Sequence, residues 1–134
     1  MAGTITITRQ SVPAMRGRLT EVTVAWTSNS SGDVSGTLPL RGLLAWKKSV
    51  PGVSSDQPTD LYDETLTDPD GTIDLLNLGT TDIGSNLSNV TPTLKEFLNA
   101  AGSPCYMPVN GDCTFVVANA GNAKSGQTKF YLMD

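Results

Sequence analysis

Apolar and polar residues alternate with a period of two along most of this chain, the spacing that turns one side of a β-strand toward a core. Between Leu19 and Ser28, the residues Val22, Val24 and Trp26 alternate with Glu21, Thr23, Ala25 and Thr27. Asn29-Ser30-Ser31-Gly32-Asp33 then interrupts the pattern with turn-prone residues, in a turn region extending to Gly36. A second apolar run ends at Trp46, so both tryptophans fall in one predicted hairpin, where their large areas would anchor a β-core. Pro39 lies in the approach to this second strand, and the regular part is predicted from Gly42 until Pro51-Gly52 closes it. Upstream, Thr4-Ile5-Thr6-Ile7-Thr8 alternates strictly and predicts a first strand with Ile5 and Ile7 inward. Gln10 to Arg18 contains Pro13 and Gly17 and reads as a connection.

Further along, Asp60–Thr67 predicts a strand with Tyr62 and Leu66 on one face and Glu64 between them. A lone glutamate on such a face is either a buried functional acid or, the reading favoured here, a strand edge or intersubunit contact. Asp68-Pro69-Asp70-Gly71 predicts a tight reversal. With Asp74 it also resembles the opening of a calcium loop, but the third spaced ligand and the closing glutamate are missing, which favours the turn. Thr72–Leu78 leaves a short strand and a single helical turn open, and the polar stretch Gly79–Val90 reads as a surface loop. Thr91 suits an N-cap, Pro92 the first helical position and Gly102 the stop; Leu94, Phe97, Leu98 and Ala101 follow helical spacing. A short helix over Pro92–Ala101 is therefore predicted, covering a sheet edge or the end of a sandwich. Ser103–Pro108 reads as a crossing, Val109-Asn110-Gly111-Asp112 as a turn and Thr114–Ala118 as a strand. The last strand, Gln127–Met133, carries apolar groups on both faces, which suits burial between layers or a neighbouring subunit. The expected fold is mainly β: one domain over residues 1–134, an antiparallel β-sandwich of jelly-roll-like type with one short α-helix.

Composition changes this picture mostly by exclusion. With 38% hydrophobic and 16% charged residues the chain is unlike a disordered acidic tail. A net charge of −4 argues against a nucleic-acid partner, and Lys47-Lys48 reads as a solvated strand end. No run of 18 apolar residues predicts a membrane span. Met1-Ala2-Gly3-Thr4 has the look of neither a secretory signal nor a myristoylation site. Cys105 and Cys113, in a chain without histidine, do not make an ordinary four-ligand zinc site, and they read as two reduced, packed thiols. The missing histidine also removes the usual serine and cysteine triads, and no nucleophile elbow, phosphate loop or dinucleotide fingerprint occurs. Asp63, Glu64, Asp68 and Asp70 cluster along the sequence, yet strand alternation sends Asp63 and Glu64 to opposite faces. The expectation is a non-enzymatic protein without cofactor or metal. A carbohydrate-binding module would need exposed aromatics, for which Trp46, Tyr62 and Tyr106 are the candidates; a core position is expected of Trp46.

Three segments carry a resemblance. Arg18 to Ser28 followed by Ser31-Gly32-Asp33-Val34-Ser35-Gly36, then Tyr62-Asp63-Glu64-Thr65-Leu66-Thr67-Asp68-Pro69-Asp70-Gly71, then Asn119-Ala120-Gly121-Asn122-Ala123-Lys124-Ser125-Gly126 before the final strand, are similar to small structural proteins of tailed bacteriophages and prophages. The resemblance implies a virion component of capsid cement or decoration type, made in the bacterial host cytoplasm and residing on the capsid. Its implied partners are the major capsid protein or other virion subunits, in a homotrimer that meets local threefold positions. A neck, tail or head-fibre component is the alternative. Ile5, Ile7, Glu64, Tyr131 and Met133 are the expected partner contacts, and Thr4–Arg9 is a candidate for exchange with a neighbouring sheet edge.

Overall fold

The computed structural model describes residues 3–13, 18–78, 82–99 and 101–133. Seven strands follow in chain order: β1 (Thr4–Pro13), β2 (Arg18–Thr27), β3 (Val34–Pro51), β4 (Asp63–Thr67), β5 (Thr93–Glu96), β6 (Met107–Ala118) and β7 (Ser125–Met133). They form one antiparallel sheet in the order β1-β2-β7-β3-β6-β4, with β5 added beside β3. The 18-residue β3 organises it. Its first part pairs with β6, Val34 opposite Val117 to Leu44 opposite Met107, and its second part pairs with β7, Leu43 opposite Met133 to Pro51 opposite Gly126. The strand thus passes from one group of partners to another, and the sheet folds on itself in a sandwich-like arrangement. β1 closes over the first part of β3, where Ile5 rests on Gly36 and the Arg9 guanidinium donates to the Pro39 carbonyl.

The alternation read from the sequence builds the core. Val22, Val24 and Trp26 of β2, Cys113, Phe115 and Val117 of β6, and Phe130 and Leu132 of β7 are all buried. Each such side chain contributes roughly 1.5–3 kcal/mol by leaving water. Phe115 meets Phe130 edge-on at 6.0 Å and 83°, which joins β6 to β7 across the interior. Gly126 lets the Trp26 ring lie against β7: a Cβ there would come within 2.6 Å of the indole.

Several predicted boundaries are corrected. The two tryptophan-bearing strands are not a hairpin, because β7 lies between β2 and β3. β1 runs on to Pro13 in register with β2, rather than ending before Gln10; Gly17, in the predicted connection, lies outside the described residues. β3 begins at Val34, not near Gly42, and Pro39 is tolerated because that part of β3 has a ladder partner on one side only. β6 passes straight through Val109–Asp112, where Gly111 adopts φ 139°, a conformation that favours glycine. Asp68–Gly71 is the reversal expected: the Gly71 N–H donates to the Asp68 carbonyl at 2.9 Å. Thr72–Leu78 forms neither a strand nor a helical element of its own; Asp74 makes an isolated bridge to Thr67. The stretch expected as a surface loop buries Ile83 and Leu87, while Gly79 lies outside the described residues.

The predicted helix is the largest correction. No α-helix occurs among the described residues, and the one helical turn is the 3₁₀ segment Ser54–Asp56. Where Pro92–Ala101 was expected to coil, Thr93–Glu96 pairs with Ser49–Trp46, the Phe97 N–H donates to the Ala45 carbonyl at 3.1 Å, and Leu98 bridges to Pro104. Ala100 lies outside the described residues. A helix this short is marginal by itself, whereas the free edge of β3 offers backbone partners at once. Phe97 becomes fully buried and stacks at 6.4 Å from Phe130, and Leu94 stays exposed, so the apolar stripe does not form.

Candidate functional site

A register shift in β3 decides which side chains reach the interior. Pairing with β7 slips between Leu44 and Trp46, leaving Ala45 as the extra residue of a bulge. Before the bulge the even positions Val34, Leu38, Leu40 and Leu44 are buried; after it the odd positions Ala45, Lys47, Ser49 and Pro51 are. A one-residue slip exchanges the faces of a strand. Lys47 therefore enters the core at 0% exposure, and Trp46 stands outside at 37%.

Inside, Lys47 meets Glu64 of β4, which is 1% exposed. The ammonium donates to Glu64 Oε1 at 2.9 Å and to Ser49 Oγ at 2.8 Å; Ser49 Oγ donates to the same Oε1 at 2.8 Å. The Thr128 hydroxyl donates to Glu64 Oε2. Ser49 and Thr128 face each other in the β3–β7 ladder, so the cluster ties β4 to both strands. A buried ion pair is costly to desolvate and holds only when such extra hydrogen bonds satisfy it. Tyr62, the residue before β4, is buried like Glu64, and its ring packs 5.7 Å from that of Trp26. Burial, with the nearby Glu64 charge, raises the Tyr62 phenol far above its ordinary range. The Tyr62 hydroxyl, the Trp26 Nε1 and the Thr93 hydroxyl are buried and lack a hydrogen-bond partner among the described residues.

Close by, the Asp74 carboxylate accepts from the Leu66 and Leu76 N–H groups, both at 3.0 Å. Burial nevertheless moves its pKa up, Asp82 adds to the rise, and Lys47 opposes it. At the surface turn, Asp68 accepts from the Thr72 and Ile73 N–H groups at 2.8 and 3.0 Å, and these bonds move its pKa down. No group of three or more metal-ligating side chains is found among the described residues. Cys113 is buried, which pushes its thiol up to about 11; both thiols are free, but Cys105 is exposed, which corrects its reading as packed.

The outer face of β3, β5 and β7 carries a second group. In the ladder Trp46 stands between Glu96 and Tyr131, and Tyr131 stands next to Glu21. Burial and a hydrogen bond to Glu21 raise the Tyr131 phenol, and Lys129 lies 3.6 Å from the Glu21 carboxylate. Beside Trp46, a cleft of about 360 Å³ is lined by Ala45, Trp46, Glu96, Pro104, Cys105 and Tyr106.

The five expected contact residues do not assemble into one surface. Ile5 and Ile7 are partly buried against the chain's own core, opposite Trp26 and Val24 of β2, so β1 pairs within the chain. Glu64 does lie on the strand that ends the sheet order, as the strand-edge reading expects, but its side chain is sealed in the interior, which corrects the reading as an intersubunit contact: with Lys47, Ser49 and Thr128 as partners its charge is met within the chain. Tyr131 and Met133 lie on the outer face and are half-buried. Trp46 is corrected from core to surface, Tyr62 proves fully buried, and Lys47 proves to be no solvated strand end. Sequence reasoning missed Lys47, Ser49 and Thr128 because nothing marks the bulge at Ala45. The one available signal was Glu64, an acid on an apolar face that demands a cation.

No helix among the described residues is long and apolar enough to cross a membrane. No family model, curated protein or solved structure matches this chain.

Proposed function

We propose that this chain is a non-enzymatic virion structural protein of tailed bacteriophages, of capsid cement or decoration type, which binds the outer capsid surface and stabilises the head. One observation carries the reading beyond the sequence resemblance. The one dense charged and hydroxyl-bearing cluster described above, Lys47–Glu64 with Ser49 and Thr128, is closed off in the core and occupied with itself. By contrast Leu43 and Leu94 face solvent on a sheet framework. Such a body suits docking more than chemistry. The resembling segments form β2 and the start of β3, β4 with its turn, and the β6–β7 connection, so they make up much of the framework.

The partner in this reading is the major capsid protein, met by a homotrimer at local threefold positions. The test is to purify particles of the encoding phage or induced prophage and look for the chain by mass spectrometry. Heads with and without it should then be compared for thermal disruption. The chain on heads and a lower disruption temperature in its absence are expected; heads that lack it overturn the proposal. Light scattering of the free protein should give about 42 kDa, three times 14.1 kDa, if the trimer forms before attachment.

A further inference from the structure

We propose that the cleft beside Trp46 is a binding site for a neutral hexopyranose, with Trp46 and Tyr106 as stacking walls and Glu96 as the acceptor for sugar hydroxyls. This does not rest on the virion reading.

The placement of the aromatic residues points there first. Phe97, Phe115 and Phe130 are all buried, as are Trp26 and Tyr62. Trp46 and Tyr106, whose rings each carry a polar handle, are exposed at 37% and 55% and line the same cleft. Trp46 is outside because the bulge holds it there, and the same bulge commits Lys47 to the core. An unbulged strand would carry the opposite and cheaper arrangement, with the indole in and the ammonium out. The outward tryptophan is thus built into the fold.

The polar complement selects the ligand. Glu96 sits directly opposite Trp46 in the β3–β5 ladder, so a carboxylate flanks the indole. A pyranose presents just these two needs: C–H faces that pack on aromatic rings, and hydroxyls that donate to a carboxylate. An apolar protein side chain would fill the aromatic walls but would bury Glu96 without a donor. Among the described residues no lysine or arginine lines the cleft, so an anionic sugar or a phosphate would meet an unpaired carboxylate. The volume, about 360 Å³, lies at the small end of ligand sites, which suits one or two sugar rings.

The full-length protein should be titrated with methyl glycosides of glucose, galactose, mannose and N-acetylglucosamine and with their short oligomers, following tryptophan emission and amide NMR shifts. Saturable binding with Kd on the order of 1 mM is expected for at least one neutral sugar. Trp46→Ala and Tyr106→Ala should each weaken it more than tenfold, and Glu96→Gln about tenfold. Trp26 emission reports that the fold is intact in the Trp46→Ala protein. The proposal is overturned if no neutral sugar saturates, if binding survives both aromatic substitutions, or if sialic acid or glucuronate binds as tightly. It is also overturned if Trp46→Ala abolishes capsid attachment that no sugar competes with, since the cleft would then be a protein contact. Absence of the chain from virions would remove the proposed function and leave this site standing.

Discussion

The two parts of β3, either side of Ala45, obey opposite rules. The first buries Val34, Leu38, Leu40 and Leu44 and turns Ser35, Thr37, Pro39 and Arg41 to solvent, the ordinary arrangement of a half-buried strand. The second buries Lys47 and Ser49 and leaves Trp46 exposed. Composition does not separate them, since each contains apolar and polar residues in alternation. The phase of that alternation does. One extra residue at the bulge reverses the faces, and the interior then accepts an ammonium only because Glu64 comes from β4 to meet it and Thr128 from β7 to support that carboxylate. Burial in this strand is thus set by register first and by hydrophobicity second.

The largest test of the difference is to strip the second part of its compensation. Glu64→Ala should leave Lys47 in the core without its counter-charge and cost about 3–5 kcal/mol in denaturant unfolding. Lys47→Ala should cost a similar amount by orphaning the carboxylate. The paired replacement Lys47→Met with Glu64→Leu should recover most of that loss, because the desolvation penalty disappears together with the attraction. A cost below about 1 kcal/mol for either single change is the value of a solvated surface pair and would contradict the sealed cluster.

A milder test compares neighbours across the bulge. Leu44→Ala, in the first part, should cost about 2–5 kcal/mol through lost burial and the cavity left behind. Trp46→Ala, two residues on, removes a larger side chain and should change stability by only about 0.5 kcal/mol. Removing Trp46 should also leave emission dominated by the buried Trp26 and shifted to shorter wavelength. If the two costs are equal, Trp46 packs as the sequence alone suggests and the face assignment is wrong.

What the sequence made legible follows from this. The first half of β1 (Thr4–Thr8), β2, β7 and the turn Asp68–Gly71 were readable because local alternation and turn chemistry agree with the tertiary structure there. The strand Thr93–Glu96 was not. Leu94, Phe97, Leu98 and Ala101 satisfy a helical period, Thr91 and Pro92 a helical start, and only the open edge of β3 favours the extended form. Asn110-Gly111 has the composition of a tight turn and instead lies inside β6, where β3 holds it in line. Lys47 was unreadable for a third reason: its partner Glu64 lies 17 residues away and its orientation depends on a bulge that no residue type announces. Glu64 itself was noticed as an anomaly, and its burial resolves that anomaly without a second subunit.

The smallest expected effect sharpens the comparison through Asp74, which feels the charge that the second part of β3 carries inward. Burial is the main reason its pKa stands above the ordinary value of 3.8, and the Lys47 charge works against that rise. With the folded pKa above the unfolded one, the folded state holds a proton that the unfolded state has lost in the window just above pH 3.8. The contribution of this group to stability is therefore full below that window and declines as pH rises through it. Asp74→Asn keeps an amide oxygen for the Leu66 and Leu76 N–H groups and removes the titration, so the decline should flatten. In the Lys47→Met protein the opposing cation is gone, and the Asp74 titration followed by carboxyl NMR should move upward. An unchanged midpoint in that protein would mean that Lys47 does not project its charge toward Asp74, and the inward orientation of the second part of β3 would lose its electrostatic support.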